Sequence, residues 1–410
     1  MKPTFEPLSG VRVLDWTEGV AGPYACQLLG DMGADVIKLE RPEGDWGRTM
    51  GGGPAAGGHH YRALNRNKRG LCLDLHHAEA LAVAWRLIER ADVMVSSYRP
   101  GVAEKFGLGY EAVAAHAPAL VYARLSAYGA EGPLAALPGS DTILQAVSGL
   151  MAQIGDSDAD PHRIGVPVVD FVAARDLTVG IVTALFARAI GQPLPGPLDV
   201  SLFASAATLQ SQVWQKYTEA GVVQRRAGAR HPGLAPGGVY RTKDDRQVAV
   251  AVLRDEHFVK LCRAVEVPEL AKDARFATSA ARLAHRDELE AVLVPLFAAR
   301  SLAEWTEVLL THDVLAAPVT ELPDIAADPK LMAAVPMVQL PAGPLGEAAR
   351  AVGLPFTFGE QRSAEARRPP PALGEHTREV LLEFGYNDGE IGKMADLGAI
   401  RLGGPSEVER

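Results

Sequence analysis

The sequence predicts an α/β protein: a large domain on a parallel sheet, with a smaller α+β domain formed from the middle of the chain. Three observations predict it. Short apolar runs alternate with amphipathic helical segments from Val11 to Leu125, the pattern of β-α-β units. From Gly221 to Gly238 the chain loses apolar periodicity and gains Arg, His, Pro and Gly, then resumes with a hairpin and helices. Late apolar runs near Val335–Leu340 and Gly353–Phe358 are expected to return to the first sheet. The domains are therefore drawn as 1–222 with 335–410 for the large one and 223–334 for the small one.

Each element follows in turn. VRVLDW (11–16) reads as a buried strand, Gly22-Pro23 opens a helix from Tyr24 to Met32, and ADVIKLE (34–40) is the second strand. Glu40 at the end of that strand suggests a nicotinamide ribose, but the first turn, TEGVAGP, lacks G-x-G-x-x-G, so such a cofactor is not expected. From Arg41 to Arg69 the chain is Gly-rich and carries Arg41, Arg48, Arg62, Arg66, Lys68 and Arg69, a loop whose positive charge points either to an anionic ligand or to solvated surface. LCLDL (71–75), ADVMVSS (91–97) and Leu120–Leu125 are further strands, with a helix over Ala78–Arg90 and a turn, YRPG (98–101). Ile143–Ala152 is helical. LDVSL (198–202) leads into a helix over Phe203–Glu219. In the small domain, VYRTKDDRQVAVAV (239–252) is a hairpin turning at Lys243–Arg246, and helices follow at Asp255–Val265, Ala281–Ala299 and Ser301–Thr311. Helices over Thr377–Phe384 and Asp388–Leu397 close the chain.

Composition narrows the function classes. Of 410 residues, 48% are apolar and 22% charged, an ordinary globular balance, and the net charge of −9 argues against a general nucleic-acid binder. No secretory signal is expected in Met1–Gly10 and no membrane span in the long apolar helix, which Arg175, Asp176 and Arg188 interrupt. Cys26, Cys72 and Cys262 make neither a metal-ligand spacing nor a disulfide framework, so a reducing cytoplasm and no metal are expected.

The stretch that carries chemistry is GVPVVDFVAARDLTVGIVTALFAR (165–188). A β-type run (Val166, Val168, Val169) delivers Asp170 where the pattern turns helical. Asp at such a junction reads as an N-cap, accepting first-turn N–H bonds. The positive end of that helix is also expected to keep the carboxylate ionised. The two are compatible.

Several segments, taken in order, resemble the family III CoA-transferases, the formyl-CoA and carnitine type. They are LDWTEGVAGPYACQLLGDMGADVIKLERPEGDWGR (14–48), LNRNKRGLCLDL (64–75), ADVMVSSYRPGVAEKFGLGYE (91–111), the Asp170 stretch, DVSL (199–202) and LGEHTREVLLEFGY (373–386). The resemblance implies a Rossmann-like large domain, an interlocked homodimer and Asp170 as the catalytic carboxylate. Acyl-CoA and a small carboxylic acid are implied as partners, with coenzyme A as substrate rather than a tightly bound cofactor. It also implies a CoA site from Gly19, Val20, Arg41, Ser97, Tyr98, Lys105, Ser140 and Asp141. Tyr98 offers a flat face for adenine, Arg41 and Lys105 charge for phosphate. One departure is Ala174, where the family usually carries Gly four residues after the catalytic Asp, a methyl expected either to crowd a thioester or to reflect a rearranged helix start; Arg175 is also unusual there. HPGLAPGGVY (231–240) matches a loop that closes over the site, with Gly233, Gly237 and Gly238 to permit the motion.

Acyl exchange between CoA thioesters and free acids is nearly isoenergetic, so the chemistry needs a temporary acyl holder and oxyanion donors, expected at the start of the Asp170 helix. The nearest alternative, α-methylacyl-CoA racemisation, needs a second proton-transfer group. That branch carries His within a GHD motif where this chain has Gly139-Ser140-Asp141, and His162 is out of register. A CoA-binding homologue without activity is the other alternative. His60, Arg62, Arg163 and Arg175 are expected to meet a second carboxylate, which favours a dicarboxylate such as succinate.

Overall fold

The computed structural model describes residues 5–51, 57–359, 361–362 and 366–403. In chain order its first unit runs β1 (Arg12–Trp16), α1 (Ala21–Asp31), β2 (Asp35–Glu40), α2 (His59–Leu64), β3 (Lys68–Leu73), α3 (Ala78–Ile88) and β4 (Val93–Ser96). It continues through α4 (Val102–Lys105), α5 (Tyr110–His116), β5 (Val121–Ser126), α6 (Asp141–Val147), α7 (Val168–Ala189), β6 (Leu198–Ser201) and α8 (Leu202–Leu209). The six strands form one parallel sheet ordered β3-β2-β1-β4-β5-β6. Strand order reverses between β1 and β4, and a crevice opens there at the carboxyl ends of the strands.

The sheet is buried on both faces, which is why β1 to β4 read as near-continuous apolar runs. On one face Leu14, Ile37, Leu71 and Met94 pack against Val83 and Leu87 of α3 and Val380 and Leu381 of a helix at Thr377–Glu383. α1 and α7 pack against each other, burying Ala25 and Leu29 with Leu177 and Ile181. α7 lies close on the sheet because Gly180 has no side chain; a Cβ there would meet Leu198 of β6 at 2.8 Å.

Two expectations are corrected here. The late apolar runs do not rejoin the main sheet: Met337–Leu340 pairs with Ala349–Val352, and Thr357–Phe358 with Gln361–Arg362, as separate antiparallel ribbons. What does join the sheet is a two-residue strand, Ile400–Arg401, antiparallel to β3. The expected helix over Phe203–Glu219 breaks at Gln210, whose backbone caps α8 while its side chain turns to Ser148 O and Ala206 O.

The chain clusters into two compact units, 1–148 with 164–211 and 335–410, and 149–163 with 212–334. The second unit holds an antiparallel sheet of Gly237–Arg241, Gln247–Ala251 and Ala316–Pro318. Its core sets Tyr240, Val248 and Val250 against Phe258, Leu289, Phe297 and Trp305 from the surrounding helices. The helix expected over Ala281–Ala299 is interrupted at His285. Gly237 and Gly238, expected in a mobile loop, are strand residues paired with Ala251 and Val250.

Candidate active site

A cleft of about 240 Å³ opens at the reversal point of the main sheet. Its walls come from the segments that follow successive strands: Glu18 and Val20 after β1, Ser97 to Arg99 after β4, Ser126 and Ala127 after β5. Ser140 and Asp141 at the start of α6 and Asp170 in α7 complete it.

The turn after β1 is shaped by a buried network. Gly19 adopts φ +85, a conformation that favours glycine, and its N–H donates to Asp45 Oδ1 at 2.9 Å. Gly47 N–H donates to the same oxygen at 2.8 Å. Lys38 pairs with Asp45 at 2.9 Å and donates to Thr17 O at 2.8 Å, all of it out of solvent. Trp46 lies over Gly19 so closely that a Cβ there would meet the ring at 2.2 Å, and its exposed edge joins the cleft wall. Sequence reading missed Lys38, Asp45 and Trp46 as shaping residues; the only signal was that all three fall inside the 14–48 motif already quoted.

The cationic segment is largely neutralised from within. Arg48 binds Glu40 through two nitrogens, at 2.8 and 2.6 Å. Arg66 pairs with Asp31, Lys68 with Asp15 and Asn65, and Arg69 with Asp35 and Glu383. Glu40, considered above for a ribose, is spent on Arg48. Four of the six cations are therefore structural, buried in ion pairs, which fits neither of the two readings offered, an anionic ligand or solvated surface. Arg41 remains half exposed beside Glu18 at 3.3 Å, and Arg62 donates to Glu347 O.

Of the residues expected at the CoA site, Val20, Ser97, Tyr98, Ser140 and Asp141 line the cleft together with Asp170. Gly19 and Arg41 adjoin it through Val20 and Glu18. Lys105 is exposed at the end of α4 and does not line it. Tyr98 is held at both ends, its hydroxyl donating to Glu18 Oε1 at 3.0 Å and its ring against Trp16 at 4.7 Å. Burial pushes the Glu18 carboxyl above its ordinary value, with Arg41 and Tyr98 opposing. None of His60, Arg62, Arg163 and Arg175 lines the cleft; the cation that does is Arg99. Ala174 is buried and away from the cleft wall, so its methyl does not crowd it.

Asp170 is the third residue of α7, not its N-cap; Pro167 holds that place, and the preceding valine run forms no strand. Val168 N–H returns to Val166 O at 2.8 Å. Val169 and Asp170 N–H both go to Asp141 Oδ1, at 2.8 and 3.4 Å. The donors expected to stabilise an oxyanion at this helix start are thus already occupied. Among the described residues the Asp170 carboxylate has no hydrogen-bond partner. Burial, and then the neighbouring Asp141 charge, push its pKa up to about 7. The expected ionising effect of the helix end is outweighed.

The described residues contain no group of His, Cys, Asp and Glu that could hold a metal ion, and no helix long and apolar enough to cross a membrane. Cys26, Cys72 and Cys262 are buried free thiols. An unpartnered carboxylate near half-ionisation, inside a crevice at strand ends, can attack an electrophilic carbonyl and carry an acyl group.

Comparison with known proteins gives a consistent result. Residues 8–377 match CoA-transferase family III. A succinyl-CoA:glutarate CoA-transferase of Mus musculus is 31% identical over 97% of this chain and 91% of its own. A succinyl-CoA:mesaconate CoA-transferase of Haloarcula hispanica is 34% identical over 93% of this chain and 97% of its own. The crystal structure of a CAIB/BAIF family protein from Brucella suis superposes with a TM-score of 0.80 at 31% identity, covering 92% of this chain and 99% of that one.

Proposed function

The chain belongs to CoA-transferase family III, and we propose that it moves CoA between small dicarboxylic acids, with succinyl-CoA as a donor, through an anhydride on Asp170. The observation that carries the proposal is a single one: among the described residues the Asp170 carboxylate has no hydrogen-bond partner in the cleft at the strand ends. The names of the relatives supply the substrate class.

In the proposed cycle the ionised Asp170 attacks the donor thioester carbonyl. The carbon–sulfur bond breaks, CoA leaves as thiolate, and an aspartyl anhydride remains. Thiolate returns to the aspartyl carbonyl and releases the donor acid, leaving CoA on Asp170. The acceptor carboxylate attacks that thioester, and the thiolate finally takes the acceptor acyl group, restoring Asp170. Each step exchanges one acyl bond for another, so no external energy source and no tightly bound cofactor is required. Oxyanion donors come from the start of α1, where Ala21 and Gly22 line the cleft and the helix itself offers their N–H groups no partner. Arg41, Ser97 and Tyr98 stand on the CoA side, and Arg99 offers the charge that a second carboxylate or a CoA phosphate requires. The protein is further assigned to the cytoplasm as a homodimer.

A panel of succinyl-CoA, acetyl-CoA and butyryl-CoA crossed with glutarate, mesaconate and monocarboxylic acids tests the reading. Transfer from succinyl-CoA to dicarboxylic acids is expected, with Asp170→Ala inactive yet still binding CoA. Turnover by Asp170→Ala, or α-proton exchange without transfer, overturns it.

A further inference from the structure

The helix that bears Asp170 begins without a cap of its own. Pro167 occupies the N-cap place and brings no side-chain acceptor, so the first-turn N–H groups must find partners elsewhere. They find Asp141, 28 positions earlier in the chain, whose Oδ1 accepts from Val169 N–H at 2.8 Å and from Asp170 N–H at 3.4 Å. The other oxygen of Asp141 accepts from Gln145 Nε2 at 2.6 Å, and Gln145 Oε1 accepts from Ile164 N–H at 2.8 Å. Asp141 is 7% exposed and Gln145 fully buried. One buried chain of hydrogen bonds thus fastens both ends of the turn that delivers Asp170, and only a carboxylate at 141 can accept at both of its ends.

We propose that Asp141 is a positioning residue for the transfer reaction: it caps α7 from the start of α6 and, with Gln145, sets where the Asp170 carboxylate stands. The inference rests on the reading of Asp170 as nucleophile. It replaces the role in CoA binding expected for Asp141 from the sequence. The capping charge is placed where the helix end favours an anion, and it leaves Asp170 facing a like charge. The surroundings supply little to offset it. Asp141 is the one titratable residue of α6, α8 has none, and α1 holds Tyr24, the buried thiol of Cys26 and, at its far end, Asp31 held by Arg66. Arg124 of β5 is paired with Asp199 of β6, Asp176 of α7 accepts from Ser205, and Arg175 is exposed. Glu18 and Arg99 face the cleft from the segments after β1 and β4.

Two variants test this. Asp141→Asn keeps an acceptor for Val169 but sets two amide donors against each other along the Gln145 chain. The double variant D141N/Q145E restores the donor–acceptor order, because the carboxylate at 145 accepts from both sides, and moves the negative charge one link farther from Asp170. With succinyl-CoA as donor, D141N should lose about tenfold or more in kcat with KM for succinyl-CoA within about twofold. D141N/Q145E should recover most of that loss and move the acid limb of the kcat profile down by about one pH unit. Thermal melting reports folding, and if D141N does not fold the double variant carries the test. A raised KM with unchanged kcat would return Asp141 to CoA binding, and an unmoved limb in the folded double variant would overturn the proposal. Asp170→Ala is the control that separates the two readings: its activity condemns the nucleophile assignment, whereas its inactivity with unaltered D141N kinetics condemns the role of Asp141 alone.

Discussion

Asp170 ionises with a pKa near 7 because burial and Asp141 both act against its charge. The nucleophile is the ionised form, so kcat/KM should rise with pH through about 7 and then level, a limb read from initial rates with a donor of constant charge. The same shift bears on stability. The folded value lies above the ordinary 3.8, so the folded state binds more protons between the two values and stability falls as pH rises from about 4 to about 7. Asp170→Asn removes that loss. In chemical denaturation it should be more stable than the native protein at pH 8, by on the order of 2–4 kcal/mol, and equally stable at pH 4. At this scale the sequence was legible where the signal is local: the apolar helix that bears Asp170 is there, although it starts at Val168 and no strand precedes it. It was not legible where partners are distant. The cations of 48–69 announce charge, but whether that charge is free depends on Glu40, Asp31, Asp15, Asp35 and Glu383, which only the fold brings near.

Among elements, the turn between β1 and α1 shows what a buried ion pair can hold in place. Burial works against the charge on Lys38, yet Asp45, Asp15 and Glu40 together keep its pKa well above the ordinary lysine value. Asp45→Ala strands that charge and leaves the Gly19 and Gly47 N–H groups without their acceptor. A loss of roughly 3–5 kcal/mol in chemical denaturation is expected, with weakened CoA binding in whatever fraction folds. Gly19→Ala should act more narrowly: the added methyl meets Trp46 at 2.2 Å and the backbone at φ +85 resists it, so a change in Trp fluorescence should accompany the loss of binding. The alternation of strands and helices in this half was legible because parallel strands buried on both faces read as plain apolar runs. The late ribbons were not, since apolar content alone does not say which edge a short strand joins.

For the whole molecule, the strand order with its reversal between β1 and β4 explains why residues from segments far apart in the chain meet in one cleft. Family membership over residues 8–377 and the close superposition on the Brucella suis structure agree with that architecture. The outer stripe of α7 bears on the proposed homodimer. Val179, Val182, Phe186 and Ile190 are 66%, 37%, 64% and 55% exposed along one side of the helix, an apolar row suited to a second copy. Sedimentation should report twice the chain mass, and Val179→Asp with Phe186→Asp should shift the population toward monomer. A native monomer would remove the homodimer and leave the chemistry of a single cleft.

The central claim is that Asp170 briefly carries the acyl group. Its most direct test is to mix the protein with succinyl-CoA, trap with hydroxylamine or borohydride, and map the modified peptide by mass spectrometry. Modification is expected at Asp170 within 165–188, dependent on the donor and absent from Asp170→Ala. Continued turnover with modification at another residue, or with none, would contradict it.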